Sequence, residues 1–220
     1  MSHDRGVSDV WYVSYGSNLL RERFLTYLAG GRPPGVTDGT IQRGARDPTP
    51  PSDDTPIDLA HQLYFAGAST RWGGGGVAYV EPGTDVQPST WARAYRITWP
   101  QFEDVVAQEN RRETAPIDRR ALSAGTTRSV TPGSYGLVMG LGRLADAPLV
   151  SFTSPDDRRP SSLNAPDVAY LAVMASGLAQ SRGLPLDEVA VHLCRQPQIA
   201  AVWTPATLTT ALAAPRPESG

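Results

Sequence analysis

The sequence predicts an α+β domain, because segments with the alternation of strands and segments with the periodicity of helices both occur along its 220 residues. Residues 89–97 alternate large and small side chains, as a half-buried strand does. Residues 100–110 instead place apolar side chains at helical spacing. No internal repeat and no linker divides the chain. We therefore expect one domain over residues 9–212, with a flexible N-terminus at 1–8 and a flexible, Pro-rich tail at 213–220.

The composition excludes several classes of function. All 20 basic residues are arginine, so Schiff-base chemistry, pyridoxal phosphate attachment and a P-loop lysine are excluded. With a net charge of −2 and a pI near 5.9, the chain has no basic excess for nucleic acid. It also has no apolar run of about 18 residues for a membrane span and no secretory signal pattern. We expect a cytoplasmic protein with no nucleic-acid or membrane partner, while its oligomeric state stays undefined.

The metal-ligating residue types are sparse. Cys194 is the only cysteine, which excludes an intrachain disulfide and a thiolate zinc site. His3, His61 and His192 lie far apart, without metal-ligand spacing. We expect no metal and no cofactor, so any chemistry falls to carboxylates, hydroxyls, arginines and backbone groups.

The first element is a strand, a turn and a helix over YVSYGSNLLRERF, residues 12–24. Gly16, Ser17 and Asn18 form the turn, and the helix is expected from Leu19 to about residue 29, where two glycines stop it. The turn has two interpretations. Its backbone N–H groups, at the positive end of a helix, suit an anion such as a carboxylate. Alternatively, Ser17 or Asn18 simply caps the helix.

The middle and end of the chain continue this mixture. Residues 43–56 are rich in Pro and Asp and predict a surface loop. The run of four glycines at residues 73–76 allows either a ligand's close approach or an ordinary loop. The remaining predicted elements are strands over residues 61–67, 77–80, 89–97, 134–144 and 148–154, and helices over residues 164–182 and 185–195.

The helix after residue 98 carries one carboxylate in its apolar stripe. Thr98 and Gln101 form a capping box at its start. Phe102, Val105, Val106 and Glu109 follow at i, i+3, i+4 and i+7, whereas Glu103 and Asp104 are expected to face water. A carboxylate buried on such a stripe has a raised pKa, which suits proton transfer. The alternative is an ion pair with one of the arginines Arg93, Arg96, Arg111 and Arg112.

Other polar residues have simpler interpretations. Tyr170 lies beside the apolar stripe of its helix, as a core residue or as a ligand contact. His192 and Cys194 are assigned to packing. The aspartates Asp53, Asp54 and Asp58 are interpreted as a solvated surface, with metal binding as the alternative.

Four segments, in order, resemble the γ-glutamylcyclotransferase family. The turn of residues 12–24 is similar to the family's Tyr-Gly-Ser-Asn-Leu signature. STRWGGGGVAYVEPG (69–83) is similar to its Trp-x-Gly-Gly segment, and ARAYRITWPQFEDVVAQEN (92–110) to the strand and helix that lead to its catalytic glutamate. RPSSLNAPDVAYLAVMASGLAQSRGLPLDEV (159–189) resembles its C-terminal segment.

The resemblance implies a small mixed β-barrel flanked by helices, with the site at one mouth of the barrel. It implies cyclisation of a γ-glutamyl amide to 5-oxoproline with release of an amine, without metal or cofactor. Glu109 would be the general acid and base. The substrate-binding residues would be Tyr15, Gly16, Ser17, Asn18, Leu19, Leu20 and Tyr170.

Three features depart from the family pattern. Ser14 replaces a small apolar residue, and Asn110 stands where a glycine is frequent. The loop at residues 43–56 is longer than typical and is expected near the site mouth. Two other functions stay open, namely a related γ-glutamyl or amine-transfer enzyme and a ligand-binding module without catalysis.

Overall fold

The computed structural model describes residues 9–35, 39–83, 90–155 and 162–214. The predicted termini at 1–8 and 215–220 lie outside these ranges, whereas Ala213 still belongs to a helix. The strands of the described residues are β1 (Asp9–Ser14), β2 (Asp53–Leu59), β3 (Leu63–Ala66), β4 (Val77–Val80), β5 (Thr90–Thr98), β6 (Thr127–Ser129), β7 (Leu137–Leu144) and β8 (Ala147–Thr153). The helices are α1 (Arg21–Ala29), α2 (Trp99–Glu109), α3 (Val168–Arg182), α4 (Leu186–Leu193), α5 (Pro197–Ala200) and α6 (Pro205–Ala213).

The main sheet has six strands in the order β2-β5-β1-β8-β7-β6. Only the pair β1–β8 is parallel among the described strands; the other neighbours are antiparallel. Strands β3 and β4 form a separate hairpin. Thr153 at the end of β8 connects this hairpin to the main sheet, since its hydroxyl donates to the carbonyl of Val80 at 2.7 Å.

The α+β class with a mixed sheet and flanking helices is confirmed, but the sheet does not close into the expected barrel. Strands β2 and β6 are the two edges of the described sheet and do not pair with each other. Strand β2 suits an edge, because Pro56 has no N–H to donate and Asp53 is exposed.

The alternation of β1 places side chains on both faces of the sheet. Trp11 and Val13 pack with α3 and the later helices, while Val10 and Tyr12 pack with α1 and α2. The sheet therefore lies between two helical layers, each with its own apolar core. No described helix combines the length and apolar character needed to cross a membrane.

Helix α2 follows β5 directly and has the predicted capping box between Thr98 and Gln101. Phe102, Val105 and Val106 are fully buried, as predicted. The expectation that Asp104 faces water is wrong. It is buried, and Arg46 Nε donates to its carboxylate at 2.9 Å, because the preceding loop brings this arginine over the helix.

The loop prediction for residues 43–56 is wrong in its last part, because β2 begins at Asp53. Asp54 forms ion pairs with Arg93 at 2.6 Å and with Arg21 at 3.3 Å, which hold this acidic segment on the sheet edge. Gln101 Nε2 donates to backbone carbonyls at residues 47 and 49, so the first part of the loop is bound to α2.

Helix α3 packs directly against the turn that follows β1. Asp167 caps its start, and Gly183 ends it with a left-handed φ of 64°. At Gly177, an added Cβ would lie 2.3 Å from the carbonyl carbon of Leu19, so only glycine permits this contact. The predicted helix after Pro185 is α4, whereas α5 and α6 were not predicted.

Candidate functional site

The turn after β1 presents three backbone donors. Residues Ser17–Leu19 form a single 3₁₀ turn, closed by the N–H of Leu19 donating to the Gly16 carbonyl at 3.0 Å. The N–H groups of Gly16, Ser17 and Asn18 donate to no other described residue. Three adjacent free N–H groups are the arrangement that binds a carboxylate.

The capping interpretation of this turn is wrong. Helix α1 begins at Arg21 with Leu20 at its N-cap, and no side chain caps it. The 3₁₀ turn separates Ser17 and Asn18 from the first turn of α1. Their side chains are therefore available for other contacts.

The backbone of the turn is fixed from the opposite side. The hydroxyl of Tyr95 donates to the carbonyl of Asn18 at 2.8 Å, and Arg93 Nη1 donates to the carbonyl of Leu19 at 3.2 Å. Gly177 packs against the same backbone. The carbonyls of Asn18 and Leu19 therefore face the core. The turn is held in place by these contacts without using the free N–H groups of residues 16–18.

Asn18 joins the turn to Glu109. Its Nδ2 donates to Glu109 Oε1 at 3.0 Å and to the Tyr12 hydroxyl oxygen at 3.3 Å. The hydroxyl of Tyr27 lies near enough to Glu109 to stabilise its carboxylate form. No described arginine forms an ion pair with Glu109, since Arg93 pairs with Asp54 instead.

Burial raises the pKa of Glu109 above its ordinary value. The Tyr27 hydroxyl, the charge of Arg23 and the Asn18 amide act in the opposite direction, because each stabilises the carboxylate, but burial is the larger effect. Burial and the nearby charge of Glu109 also raise the pKa of Tyr12, so this tyrosine stays a neutral phenol. Glu109 is thus a carboxylate whose proton affinity is increased without an ion pair.

Two adjoining cavities meet at Glu109. The inner cavity has a volume of about 40 Å³ and contacts the turn; the outer cavity has a volume of about 780 Å³. Both are lined by Ser17, Glu109, Tyr135 and Tyr170. The inner cavity is also lined by Tyr12, Ser14, Tyr15, Gly16, Asn18, Ala78 and Phe152.

Tyr170 is a core residue, as one of its two interpretations predicted, and it also lines both cavities. It is 3% exposed, and its hydroxyl oxygen accepts a hydrogen bond from the N–H of Ala78 at 3.2 Å. A Cβ added at Gly16 would lie 2.9 Å from that oxygen, so glycine keeps the inner cavity open. Tyr15 also lines the inner cavity, with its hydroxyl donating to the Phe152 carbonyl at 2.6 Å.

Leu19 and Leu20 were expected to contact substrate, but neither lines a cavity. Leu19 is fully buried in the core, and Leu20 packs against the same cluster. Their N–H groups donate to Gly16 and Ser17 within the turn. The two leucines therefore anchor the turn, and the cavity contacts come from the preceding residues.

The loop at residues 43–56 does not lie at the cavity either. The outer cavity is lined by Thr40, Ile41 and Gln42, whereas residues 43–52 lie against α2 and the sheet edge. Among the glycines at residues 73–76, Gly73 and Gly74 have left-handed φ values of 59° and 82°, whereas Gly75 and Gly76 pack closely against neighbouring backbone. A Cβ at Gly76 would lie 2.3 Å from the Asn164 carbonyl oxygen.

The departure at Asn110 has a structural role. Its side chain donates to the Tyr135 carbonyl at 3.0 Å and accepts from the Tyr135 N–H at 3.1 Å. The asparagine thereby fixes Tyr135, whose ring lines both cavities.

Residues assigned to packing or to the surface behave largely as expected. His192 is buried and stacks on Trp91 with 3.7 Å between ring centroids, and burial lowers its pKa to about 4. Asp54 and Asp58 form ion pairs with arginines. Within the described part of the chain, no group of three or more His, Cys, Asp or Glu residues is placed to hold a metal.

The sequence analysis did not propose several of the cavity residues, among them Tyr12, Arg23, Tyr27 and Tyr135. Arg23 and Tyr27 lie four residues apart on the apolar stripe of α1, together with Phe24 and Leu28. A charge on an apolar stripe is the signal that identified Glu109, and it applies equally to Arg23. Tyr135 lies outside the strands and helices and gave no comparable signal.

Comparisons with known proteins give a sequence relative and several structural neighbours. The chain is 32% identical over 201 residues to a protein of Arabidopsis thaliana named Histone deacetylase 5, covering 84% of this chain. It spans only 30% of that protein's length. No protein-family model matches the chain.

Two of the structural neighbours are a protein named Gamma-glutamyl cyclotransferase and an uncharacterized human protein. Their identities are 15% and 16%, each comparison has a TM-score of 0.48, and each covers 84% of this chain and 87% of the neighbour. A TM-score below 0.5 does not establish a common fold.

Proposed function

We propose that the protein cyclises a γ-glutamyl amide to 5-oxoproline and releases the amine, with Glu109 as general acid and base. The observation that carries the proposal is the 3.0 Å hydrogen bond between Asn18 and Glu109. It places a carboxylate with a raised pKa beside a turn with three free N–H groups. An anion-binding turn next to a proton-transfer group is what this reaction needs.

The turn would bind the substrate's α-carboxylate through the N–H groups of Gly16, Ser17 and Asn18. The inner cavity, at about 40 Å³, has room for a group of carboxylate size, whereas the rest of the substrate extends into the outer cavity. Binding in this way folds the glutamyl chain, so that its α-amine approaches its own γ-carbonyl. Such orientation contributes up to roughly 7–11 kcal/mol in favourable cases.

Glu109 would relay the two protons that the attacking nitrogen must lose. Its carboxylate first accepts one proton from the α-ammonium, so that the neutral amine can attack the γ-carbonyl carbon and form the new C–N bond. Once this bond has formed, the second proton leaves the attacking nitrogen by the same route. Glu109 passes both protons to the departing nitrogen, one of them as the original amide C–N bond breaks. The products are 5-oxoproline and the amine in its ammonium form, no water is consumed, and Glu109 ends as it began. The raised pKa of Glu109 suits both transfers.

The tyrosines of the cavity have a supporting role in this scheme. Burial raises the pKa values of Tyr12, Tyr27 and Tyr170, so they stay neutral and act as hydrogen-bond donors or acceptors. Tyr27 lies near enough to Glu109 to stabilise its carboxylate. We therefore assign proton transfer to Glu109 and orientation to the tyrosines.

The name of the Arabidopsis relative does not carry over to this chain. That name describes a protein of which the chain matches 30%. The described residues that line the two cavities include no histidine, no cysteine and no acidic residue except Glu109. The cavities are therefore interpreted through the carboxylate and the turn.

The direct test incubates the purified protein with a panel of γ-glutamyl amides and measures released 5-oxoproline and amine. Equimolar release of both products is expected for at least one amide. Amine release with γ-glutamyl transfer to an acceptor would instead favour the related transferase. Ligand binding measured by calorimetry, with no product from any amide, would favour the non-catalytic module and contradict the proposal.

A further inference from the structure

Arg23 is a buried cation without an ion pair among the described residues. Its side chain is 1% exposed and lines the outer cavity. Its Nε and Nη1 donate to no partner, and no ion pair joins its guanidinium to another described residue. A buried charge in this state is unfavourable unless a ligand of opposite charge compensates it.

The surroundings hold the guanidinium without neutralising it. The centre of the guanidinium lies 5.2 Å from the ring centroid of Trp72, at cation–π distance. Beside this contact, Nε and Nη1 have no hydrogen-bond partner and are therefore available to a planar anion. Glu109 is near enough for the charge of Arg23 to lower its pKa, but the two do not form an ion pair.

The described residues that line the outer cavity carry more positive than negative charge. The charged ones are Arg23, Arg71, Arg111 and Glu109, that is, three arginines and one carboxylate, in a chain whose net charge is −2. A cavity with this lining favours an anionic ligand over a neutral one.

We propose that Arg23 binds a second negatively charged group of the ligand, in the part that becomes the leaving amine. The assignment of this group to a leaving amine rests on the proposed function, whereas the anion-binding site at Arg23 does not. The turn would hold the α-carboxylate at the inner cavity, and Arg23 would hold a carboxylate of the amine in the outer cavity. Arg23 is therefore a specificity-determining residue for amines that carry an acid.

The main competing role for Arg23 is electrostatic tuning of Glu109. Tuning changes the turnover of every substrate alike and shifts the pH profile. Anion binding changes KM, and it does so only for substrates with an acidic leaving amine. The two roles therefore differ in a measurable way.

The test uses two probes that differ in one group, γ-glutamylalanine and γ-glutamylalaninamide. We expect the wild-type protein to favour the acid over the amide about tenfold or more in kcat/KM, as for one charge-assisted hydrogen bond. Arg23→Gln should bring this ratio close to one through the KM of the acid. Arg23→Lys should keep part of it, because the charge stays while the planar fork is lost.

The matched control is Arg112→Gln. Arg112 is exposed, follows Arg111 in the sequence and lines neither cavity, so its removal lowers the net charge equally. The control should retain the wild-type ratio. Equal use of acid and amide by the wild type, or equal losses on both probes in Arg23→Gln, would overturn the proposal. The wild-type comparison stands even if Arg23→Gln fails to fold.

Calorimetry separates this proposal from the proposed function. If neither probe yields 5-oxoproline but the wild type binds the acid more tightly than the amide, and Arg23→Gln loses that difference, the cyclisation is wrong and the anion site stands. If both probes are cyclised and bound equally well, the cyclisation stands and the Arg23 proposal is wrong.

Discussion

The side-chain amide of Asn18 donates a 3.0 Å hydrogen bond to Glu109 across 91 positions of sequence. One residue belongs to the turn after β1 and the other to the last turn of α2. The contact connects the free N–H groups of the turn with the carboxylate whose pKa burial raises. Anion binding and proton transfer are thereby linked through one pair of side chains.

Replacing the carboxylate tests its chemical role. Glu109→Gln keeps the size of the side chain and removes its proton transfer, so 5-oxoproline formation should fall by about 10² or more. Glu113→Gln, on an exposed residue that lines neither cavity, is the matched control and should retain activity. Steady-state rates measure both variants. A Glu109→Gln variant with most of its turnover left would exclude Glu109 as the acid and base.

The same substitution should stabilise the fold in a pH-dependent way. Because burial raises the pKa of Glu109, the folded state binds its proton more tightly than the unfolded state does. The resulting stabilisation is complete below the unfolded pKa and is lost as the pH rises through the folded pKa. Glutamine is neutral at every pH, so the gain in unfolding free energy over wild type should be larger at about pH 8 than at about pH 4. Urea titrations at both pH values measure it, and a gain that shrinks with rising pH would contradict the burial effect.

Removing the amide partner should shift the proton affinity of Glu109. The hydrogen bond from Asn18 stabilises the carboxylate and lowers its pKa, so Asn18→Ala should raise that pKa further. The rising limb of kcat/KM against pH should then move to higher pH, with a lower maximum rate. Ser17→Ala, which removes a hydroxyl from the same cavities, should leave the midpoint unchanged. An unshifted limb in Asn18→Ala would mean that the contact does not act on Glu109.

The sequence predicted the secondary-structure elements that carry this site better than it predicted the residues that line the cavities. Alternation and periodicity located β1, the turn that follows it and the apolar stripe of α2 that carries Glu109, because these are local sequence patterns. The contact between Asn18 and Glu109 depends on how α2 packs on the sheet. Tyr135 is held at the cavity by hydrogen bonds to Asn110 and Ala78, which are distant in sequence. Sheet closure was mispredicted for a similar reason, since edge pairing between β2 and β6 depends on distant strands. Arg23, by contrast, was detectable from its place on the stripe of α1.

Gly16 keeps the inner cavity open, and a larger side chain there should weaken binding. A Cβ would lie 2.9 Å from the Tyr170 hydroxyl, so Gly16→Val must displace the tyrosine and fill part of the cavity. We expect KM for γ-glutamyl substrates to rise about tenfold or more, equivalent to about 1.4 kcal/mol or more of binding free energy. Gly83→Val, at an exposed glycine where an added Cβ would meet no atom within 4 Å, is the control. Calorimetry in the Glu109→Gln background measures affinity directly, and unchanged affinity would place the substrate elsewhere.

Gly177 should be required for both stability and activity, because α3 supports the turn from behind. A Cβ there would lie 2.3 Å from the Leu19 carbonyl carbon and 2.4 Å from the Leu20 nitrogen, and backbone atoms cannot yield as a flexible side chain does. Gly177→Ala should therefore lower the free energy of unfolding by about 1–3 kcal/mol, despite alanine's higher helix propensity. Ser176→Ala, at the neighbouring exposed position, should change it by about 0.5 kcal/mol or less. Chemical denaturation compares the stability of the two variants. The Gly177→Ala protein that remains folded should show a raised KM, because the displaced turn carries the N–H groups of residues 16–18. A Gly177→Ala variant as stable and as active as wild type would show that the turn does not depend on its contact with α3.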